Sequence, residues 1–400
     1  MNSEELRNKC SAFELKENRI AIFNHNYSSF IINYSFKDWH PDYTVFIKRL
    51  LKEVKNNKQR SKPMYLISPF KKQYKANLHC HSVFSDGKKT PHELKEMYKA
   101  NGYSILSITD HEVPNNHSYL NDSDFLTITG YETYVRPDAE CRYDAYGKEI
   151  HINLFARDPK NEAIVCYNPK YCKYVSDERK EKLKKVGSQK AREYSVSYIN
   201  ELIKTAKENG YIAAYNHPWW SMEDEEDILK YDGFFSMEMC NYSSYLIGHL
   251  EYNAALYDRL LSKGKRIFCH SADDNHNAAP SDSLAYDSFG GFTMIMPESF
   301  TYDSVICAME KGEMYSSMGP EFKEISMTGN KIHIECSDVE RIMVFTGSKG
   351  PKRKLARVGE TTNSADFEID DRAKFVRVSI VDKYGKFADT RGFFRDELEF

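Results

Sequence analysis

Residues 76–87 read Ala-Asn-Leu-His-Cys-His-Ser-Val-Phe-Ser-Asp-Gly. An apolar start running into His79 and His81 reads as the end of a buried strand, where side chains two positions apart point to one face. Both imidazoles can then grip one metal ion. An isolated His-x-His is as readily a satisfied buried pair. Here Ser85-Asp86-Gly87 follows as a turn and brings a carboxylate to the same rim, which favours metal. Thr90-Pro91, with Glu93 behind them, then opens a helix with a cap residue, a proline at the first position and an acidic first turn. Gly102 closes that helix, and YSILSITDH continues as a buried strand.

Working outward, the same strand-and-helix grammar runs from Asn77 to about Gly319. REYSVSYINELIKTAKEN leads to YIAAYNHP, EDILKYDG to FFSMEMCN, AALYDRLLSKG to KRIFCHS, and FTMIMP to SVICAMEKG. Such alternation predicts a parallel sheet with outer helices, closed or nearly closed into an α/β barrel. Residues 1 to about 72 are read as an N-terminal extension: FELKENRIAIFN and SSFIINYSF as a hairpin, TVFIKRLLKEVKN as a helix, KNNKQRSKP as a linker. Beyond Met318-Gly319-Pro320, short alternating runs such as KIHIECS, RIMVFTG and FVRVSIVD predict a β-sandwich over 320–400.

The chain has 13 histidines, and several fall beside carboxylates where predicted strands end. Asp110-His111 closes an apolar strand that would not choose an unpaired charge for its interior. Glu132 follows LTITGY, His151 sits in EIHINL, His217 follows YIAAYN, and Asp274 and His276 stand two apart in HSADDNH. Each alone has a bland explanation as a core histidine or a solvated acid; their recurrence at successive strand ends does not. Imidazole and carboxylate without thiolate suit zinc, manganese or iron, and so many ligands imply more than one ion. Two ions close together activate water and stabilise both oxygens of an in-line phosphoryl displacement.

Composition agrees with a chain that folds on its own core: 400 residues, 41% hydrophobic and 14% aromatic. A net charge of -3 supplies no general field for nucleic acid, so an anionic substrate must be held locally. No basic and aromatic interleaving marks a track for long nucleic acid. The opening MNSEELRNKCSAFELKENR lacks a signal-peptide pattern and no stretch reaches the roughly 18 apolar residues of a membrane span. Nine cysteines without a Cys-x-x-Cys pair fit a reducing cytoplasm.

Taken together, NLHCHSVFSDG, SITDHE, GYE, EIHI, NHP and DDNH, spanning about residues 75–277, resemble the PHP (polymerase and histidinol phosphatase) superfamily. The resemblance implies a distorted (β/α)7-type barrel over 73–319 with a trinuclear centre of divalent ions. One ion would take His79, His81, Glu132 and Asp274, and a second would share Glu132 with His151 and His217. The third would take Asp86, His111 and His276. The implied reaction is hydrolysis of a phosphoester, in a small phosphorylated molecule or a nucleotide, by metal-bound hydroxide. The β-rich tail resembles the region that follows the barrel in some bacterial members. Asn77 departs from the acid that the family often carries there, and the doublet Asp273-Asp274 leaves Asp273 as an acid candidate, with His270 beside it.

Arg136, Arg142 and Lys148 lie between Glu132 and His151 and are the candidate phosphate binders. The segment from Ala156 to about Arg192, with the run RKEKLKKVGSQKAR, is either a lid over the mouth or a solvated basic stretch. Trp219 and Trp220 either stack on a substrate ring or fill core. His117 is near the ligands in sequence; His92, His249 and His333 fall in helical runs or the tail. Two other readings compete with the phosphoesterase: a non-catalytic, metal-stabilised binding module, and an amidohydrolase-like carbon–nitrogen hydrolase. The second lacks an evident bridging lysine.

Overall fold

The computed structural model describes residues 63–137, 147–248 and 251–398, together with the backbone of three strands nearer the start. The chain divides into two compact units, Met1–Met64 and Tyr65–Phe400. In the first, β1 (Ala12–Lys16), β2 (Arg19–Phe23) and β3 (Ser29–Asn33) form an antiparallel meander with Lys16 opposite Arg19. The run FELKENRIAIFN, expected as one strand of a hairpin, thus holds two strands, because the polar Lys-Glu-Asn interrupts its apolar residues. The predicted helix TVFIKRLLKEVKN and the linker after it lie outside the described residues.

In the second unit, β4 (Met64–Ile67) is followed by β5 (Tyr74–Asn77), β6 (Ile105–Ile108) and β7 (Leu126–Val135). β5, β6 and β7 are parallel neighbours. Helix α1 (Pro91–Ala100) makes the crossover from β5 to β6, and its start is a capping box: Thr90 Oγ1 accepts from Glu93 N–H while Glu93 Oε2 accepts from Thr90 N–H. β8 (Ile150–Ala156) runs antiparallel to β7. This departs from the parallel alternation expected, in which each strand would return through an outer helix to run beside its neighbour in the same direction.

Residues 157–195 carry a small parallel pair, β9 (Ile164–Val165) and β10 (Lys185–Val186), with α2 (Asp177–Lys182) between them. Helix α3 (Val196–Glu208) buries Ile199, Leu202, Ile203 and Ala206, one stripe at helical spacing, in a core shared with β8 and β11 (Tyr211–Tyr215). After α4 (Glu225–Ile228) come β12 (Phe234–Asn241), α5 (Tyr242–Gly248), α6 (Ala254–Ser262) and β13 (Phe268–Ala272). β11, β12 and β13 are again parallel. β14 (Phe292–Ile295) lies on the other side of β5, antiparallel to it, and α7 (Tyr302–Lys311) leads to β15 (Met314–Ser317).

The sheet therefore runs β13-β12-β11-β8-β7-β6-β5-β14-β15. Although β5 and β13 are far apart in that order, the chain just beyond each meets the other. Asp274 N–H donates to His79 O at 2.9 Å, and His81 N–H donates to Asn275 O at 3.0 Å. These bonds join the two strand ends at the histidine-bearing rim.

The tail alternates as read: β16 (Phe322–Thr328), β17 (Lys331–Val339), β18 (Arg341–Phe345), β19 (Lys352–Leu355), β20 (Thr362–Glu368), β21 (Phe375–Val381), β22 (Phe387–Thr390) and β23 (Phe393–Phe394). β16, β17 and β20 share a sheet with β4, whereas β22 pairs with β15 and carries β21, β18 and β19 onto the large sheet. Arg377 of β21, wholly buried, is held by Asp258 of α6 and Asp389 of β22, which ties these strands to the helical layer.

Candidate metal centre

His79, His81, Glu132, His151, His217 and Asp274 are buried on or just beyond largely apolar strands, where each must find a partner. Asp86, His111 and His276 are partly exposed, and Glu132 lies within β7 rather than at its end as expected. Glu132 is the hub. Its Oε1 lies 2.9 Å from His151 Nδ1, 3.2 Å from His79 Nε2 and 3.5 Å from His217 Nε2. Its Oε2 lies 3.0 Å from His111 Nδ1 and 3.5 Å from His81 Nε2. Asp274 Oδ1 lies 3.0 Å from His81 Nε2 and 3.1 Å from His79 Nε2. Asp86 is the outer carboxylate, 3.5 Å from His111, 3.5 Å from His276 and 3.8 Å from His81 Nδ1.

Among the described residues, three groups of candidate ligand atoms are close enough to share an ion: His79, His81 and Glu132; His111, Glu132 and His151; His81, Asp86, His111 and His276. The donor set also fits an ion chemically. His79 Nε2 and His81 Nε2 stand 3.3 Å apart and turn toward the same carboxylates, and the buried Nδ1 of His111 makes no hydrogen bond. Two candidate ligands, His217 (φ 25°) and Asp274 (φ 53°), adopt left-handed backbone that neither residue prefers, the kind of strain that collects at functional sites.

Residues 77–268 match the family model of the PHP domain. The chain carries a PHP domain. It resembles in structure a two-domain protein of Bacteroides vulgatus containing a predicted PHP-like metal-dependent phosphoesterase, at 14% identity over 80% of this chain and 94% of that one, with a TM-score of 0.40. It also resembles an amidohydrolase of Chromobacterium violaceum solved with bound sulfate and no metal, at 17% identity over 60% and 96% of the two chains, with a TM-score of 0.35. No curated protein matches the sequence.

Around the candidate ligands lies a layer of groups that, Asp110 apart, the sequence reading did not single out. Glu238, buried in β12, places Oε1 2.8 Å from His79 Nδ1 and accepts from the His217 N–H through Oε2 at 2.7 Å. Asn216 Nδ2 donates to Glu132 Oε1 at 2.7 Å, and Asn241 Nδ2 to Asp274 Oδ2 at 3.1 Å. Glu149 Oε1 lies 2.9 Å from His151 Nε2. Asp110 accepts from Ser82 and Ser85, shaping the loop that carries Asp86. The signal for Glu238 was available: an acid inside FFSMEMCN is as costly there as Asp110 is in its own strand. Asn77, at the family's acidic position, bonds backbone instead: its Oδ1 accepts from the N–H groups of His79 and Asp273, joining the two rim segments.

These surroundings set the charges. Burial disfavours the Glu132 carboxylate, yet His151, His79 and His111 hold it well below the usual range. Asp274 is lowered likewise by His79 and His81, against burial, and Asp86 by His111, His81 and His276. Burial lowers His151, but Glu132 and Glu149 outweigh it and raise the ring to about 10. His81 is pushed down to about 3 by burial and by His276 and His111.

The remaining candidates lie apart from this cluster. Asp273 is buried, and its carboxylate accepts from Tyr98 Oη–H and from the N–H groups of Phe289, Gly290 and Gly291. His270 is buried with Nδ1 3.0 Å from Ser236 Oγ and Nε2 4.0 Å from Glu238. Arg136 is exposed, 4.0 Å from Glu149. Lys148 pairs with Asp224, and Arg142 lies outside the described residues. His117 is buried beside Tyr119 and the Phe84 ring. The segment 157–192 is anchored rather than solvated at its end: the buried guanidinium of Arg192 grips both oxygens of Glu112, next to His111, and donates to Tyr134 O at 2.7 Å.

Proposed function

We propose that this PHP domain hydrolyses a phosphoester of a small molecule or nucleotide, using two or three divalent ions held by His79, His81, Asp86, His111, Glu132, His151, His217, Asp274 and His276. The observation that carries the reading is Glu132. One carboxylate turns Oε1 toward His79, His151 and His217 and Oε2 toward His81 and His111, as a group shared between neighbouring ions would. Imidazole with carboxylate favours zinc, manganese or iron. When bound, such ions supply Lewis acidity and make water nucleophilic near neutral pH.

The chain's own contribution is to hold and orient. Glu238 keeps the Nδ1 proton of His79, so that Nε2 presents its lone pair to the centre. Glu149 does the corresponding work at one nitrogen of His151 while Glu132 faces the other. Arg136, exposed and 4.0 Å from Glu149, supplies positive charge at the edge of the site for a substrate phosphate. Asp273 fixes the 289–291 turn through three backbone N–H groups and His270 packs behind Glu238, so both take supporting parts in this reading.

Turnover of p-nitrophenyl phosphate and bis-p-nitrophenyl phosphate by the native chain and by His81→Ala tests the proposal. Activity in the native chain that falls at least about 100-fold in the variant supports it, and the better ester gives the class. Bound metal without turnover of either ester favours the non-catalytic binding module instead.

A further inference from the structure

Half-exposed aromatic rings that the chemistry above does not use flank the ligand histidines on two sides. Trp220 lies edge-on to His217 and His151, with ring centres 4.7 and 5.0 Å away, and is 44% exposed; Trp219 beside it is 52% exposed. Tyr174, 45% exposed, faces His111 at 6.4 Å with the ring planes within 21° of parallel. Core filling, the bland account of Trp219 and Trp220, does not apply to rings this exposed. Single exposed apolar side chains need no explanation. Rings beside the candidate ligands at both His217 and His111, on anchored backbone, do.

Both places are anchored. The N–H groups of Trp219 and Trp220 donate to the two oxygens of the buried Glu251 at 3.2 and 2.8 Å, and Asn253 Nδ2 donates to the same carboxylate at 2.7 Å. A carboxylate is expensive to bury, so its use here fixes a turn whose side chains face water. Tyr174 belongs to the segment pinned by Arg192 on Glu112 and by Arg179, which donates to Pro114 O at 2.6 Å. With the backbone fixed, only the side-chain torsions of these rings remain to be ordered when a ligand covers them.

We propose that Trp220 and Tyr174 form an aromatic rim that selects phosphoesters carrying a flat ring close to the phosphorus, as in an aryl phosphate or a nucleotide. The ring packs against the rim while the phosphoryl group lies at the ligand cluster. The inference rests on the phosphoesterase reading for the fate of the phosphoryl group, but ring selection can be measured without turnover.

The test is calorimetric titration of the metal-loaded full chain with phenylphosphonate and methylphosphonate, whose carbon–phosphorus bonds survive. Stacking on one aromatic side chain is worth about 1–3 kcal/mol per base by alanine substitution, so phenylphosphonate should bind roughly 10-fold tighter or better. Trp220→Ala and Tyr174→Ala should each shrink that ratio about 3- to 10-fold with metal content unchanged, and Trp220→Phe, which keeps a ring, should restore most of it. Equal affinity for the two phosphonates, or a ratio that survives both alanine variants, overturns the proposal. Turnover of p-nitrophenyl phosphate, adenosine monophosphate and glycerol 2-phosphate by the native chain then separates the sources of the ring. No turnover of any of them with the phenyl preference intact rejects the phosphoesterase reading and leaves ring selection standing.

Discussion

Oε1 of Glu238 lies 2.8 Å from Nδ1 of His79, and both side chains are fully buried. The pair orients the ring so that Nε2 of His79 faces Glu132 and Asp274. Removing such a partner typically costs a histidine site 10- to 100-fold in metal affinity. Glu238→Gln should therefore weaken zinc binding by about that factor in a competitive chelator titration. Undiminished affinity would show that Glu238 merely fills space.

Protons compete with metal at His151. Its folded pKa, about 10 in the metal-free chain, lies above the unfolded value of about 6.5. A raised folded pKa adds stability that is complete below the unfolded value and is lost as pH rises through the folded one. The chelated protein should thus lose thermal stability between about pH 6.5 and 10, and zinc should bind more tightly, with proton release, across the same window. Thermal melts with and without chelator across that range check this; parallel melting curves would contradict it.

The Arg192–Glu112 pair is wholly buried. Removing one partner of such a pair costs about 3–5 kcal/mol, because the other charge is stranded. Arg192→Met should destabilise the chain by roughly that amount in denaturant titrations. Arg192→Met combined with Glu112→Leu should recover a good part, and no recovery would show that backbone contacts of Arg192, not the charges, matter.

Gly87 allows the Asp86 loop to close on the first histidine strand: a Cβ there would stand 2.3 Å from the carbonyl oxygen of His81. Gly87→Ala should push the loop outward and weaken the His81, Asp86, His111 and His276 group, lowering bound metal by one ion per chain while the others persist. Full metal content in a folded Gly87→Ala chain would refute that.

Much of this was legible in the sequence because the strand ends carry groups an apolar strand would not tolerate unpartnered. His79, His81, Glu132, His151 and Asp274 announce themselves in this way, and Thr90-Pro91 with Glu93 writes its own helix start. Glu238 escaped because no histidine stands beside it; its partner, His79, comes from a strand far away in sequence. The reversed direction of β8 and the pairing of β22 with β15 escaped for a related reason, since alternation shows that strands exist and says little about which way they run or whom they join. Arg142 and the expected N-terminal helix lie outside the described residues.

The most direct test is the metal content of the full chain purified without chelator, by inductively coupled plasma mass spectrometry, beside Glu132→Ala. Two or three ions per native chain, falling to one or none in the variant, is the result expected of a carboxylate shared among ions. A folded native chain without metal, or a variant that keeps its full complement, would contradict a centre built around Glu132.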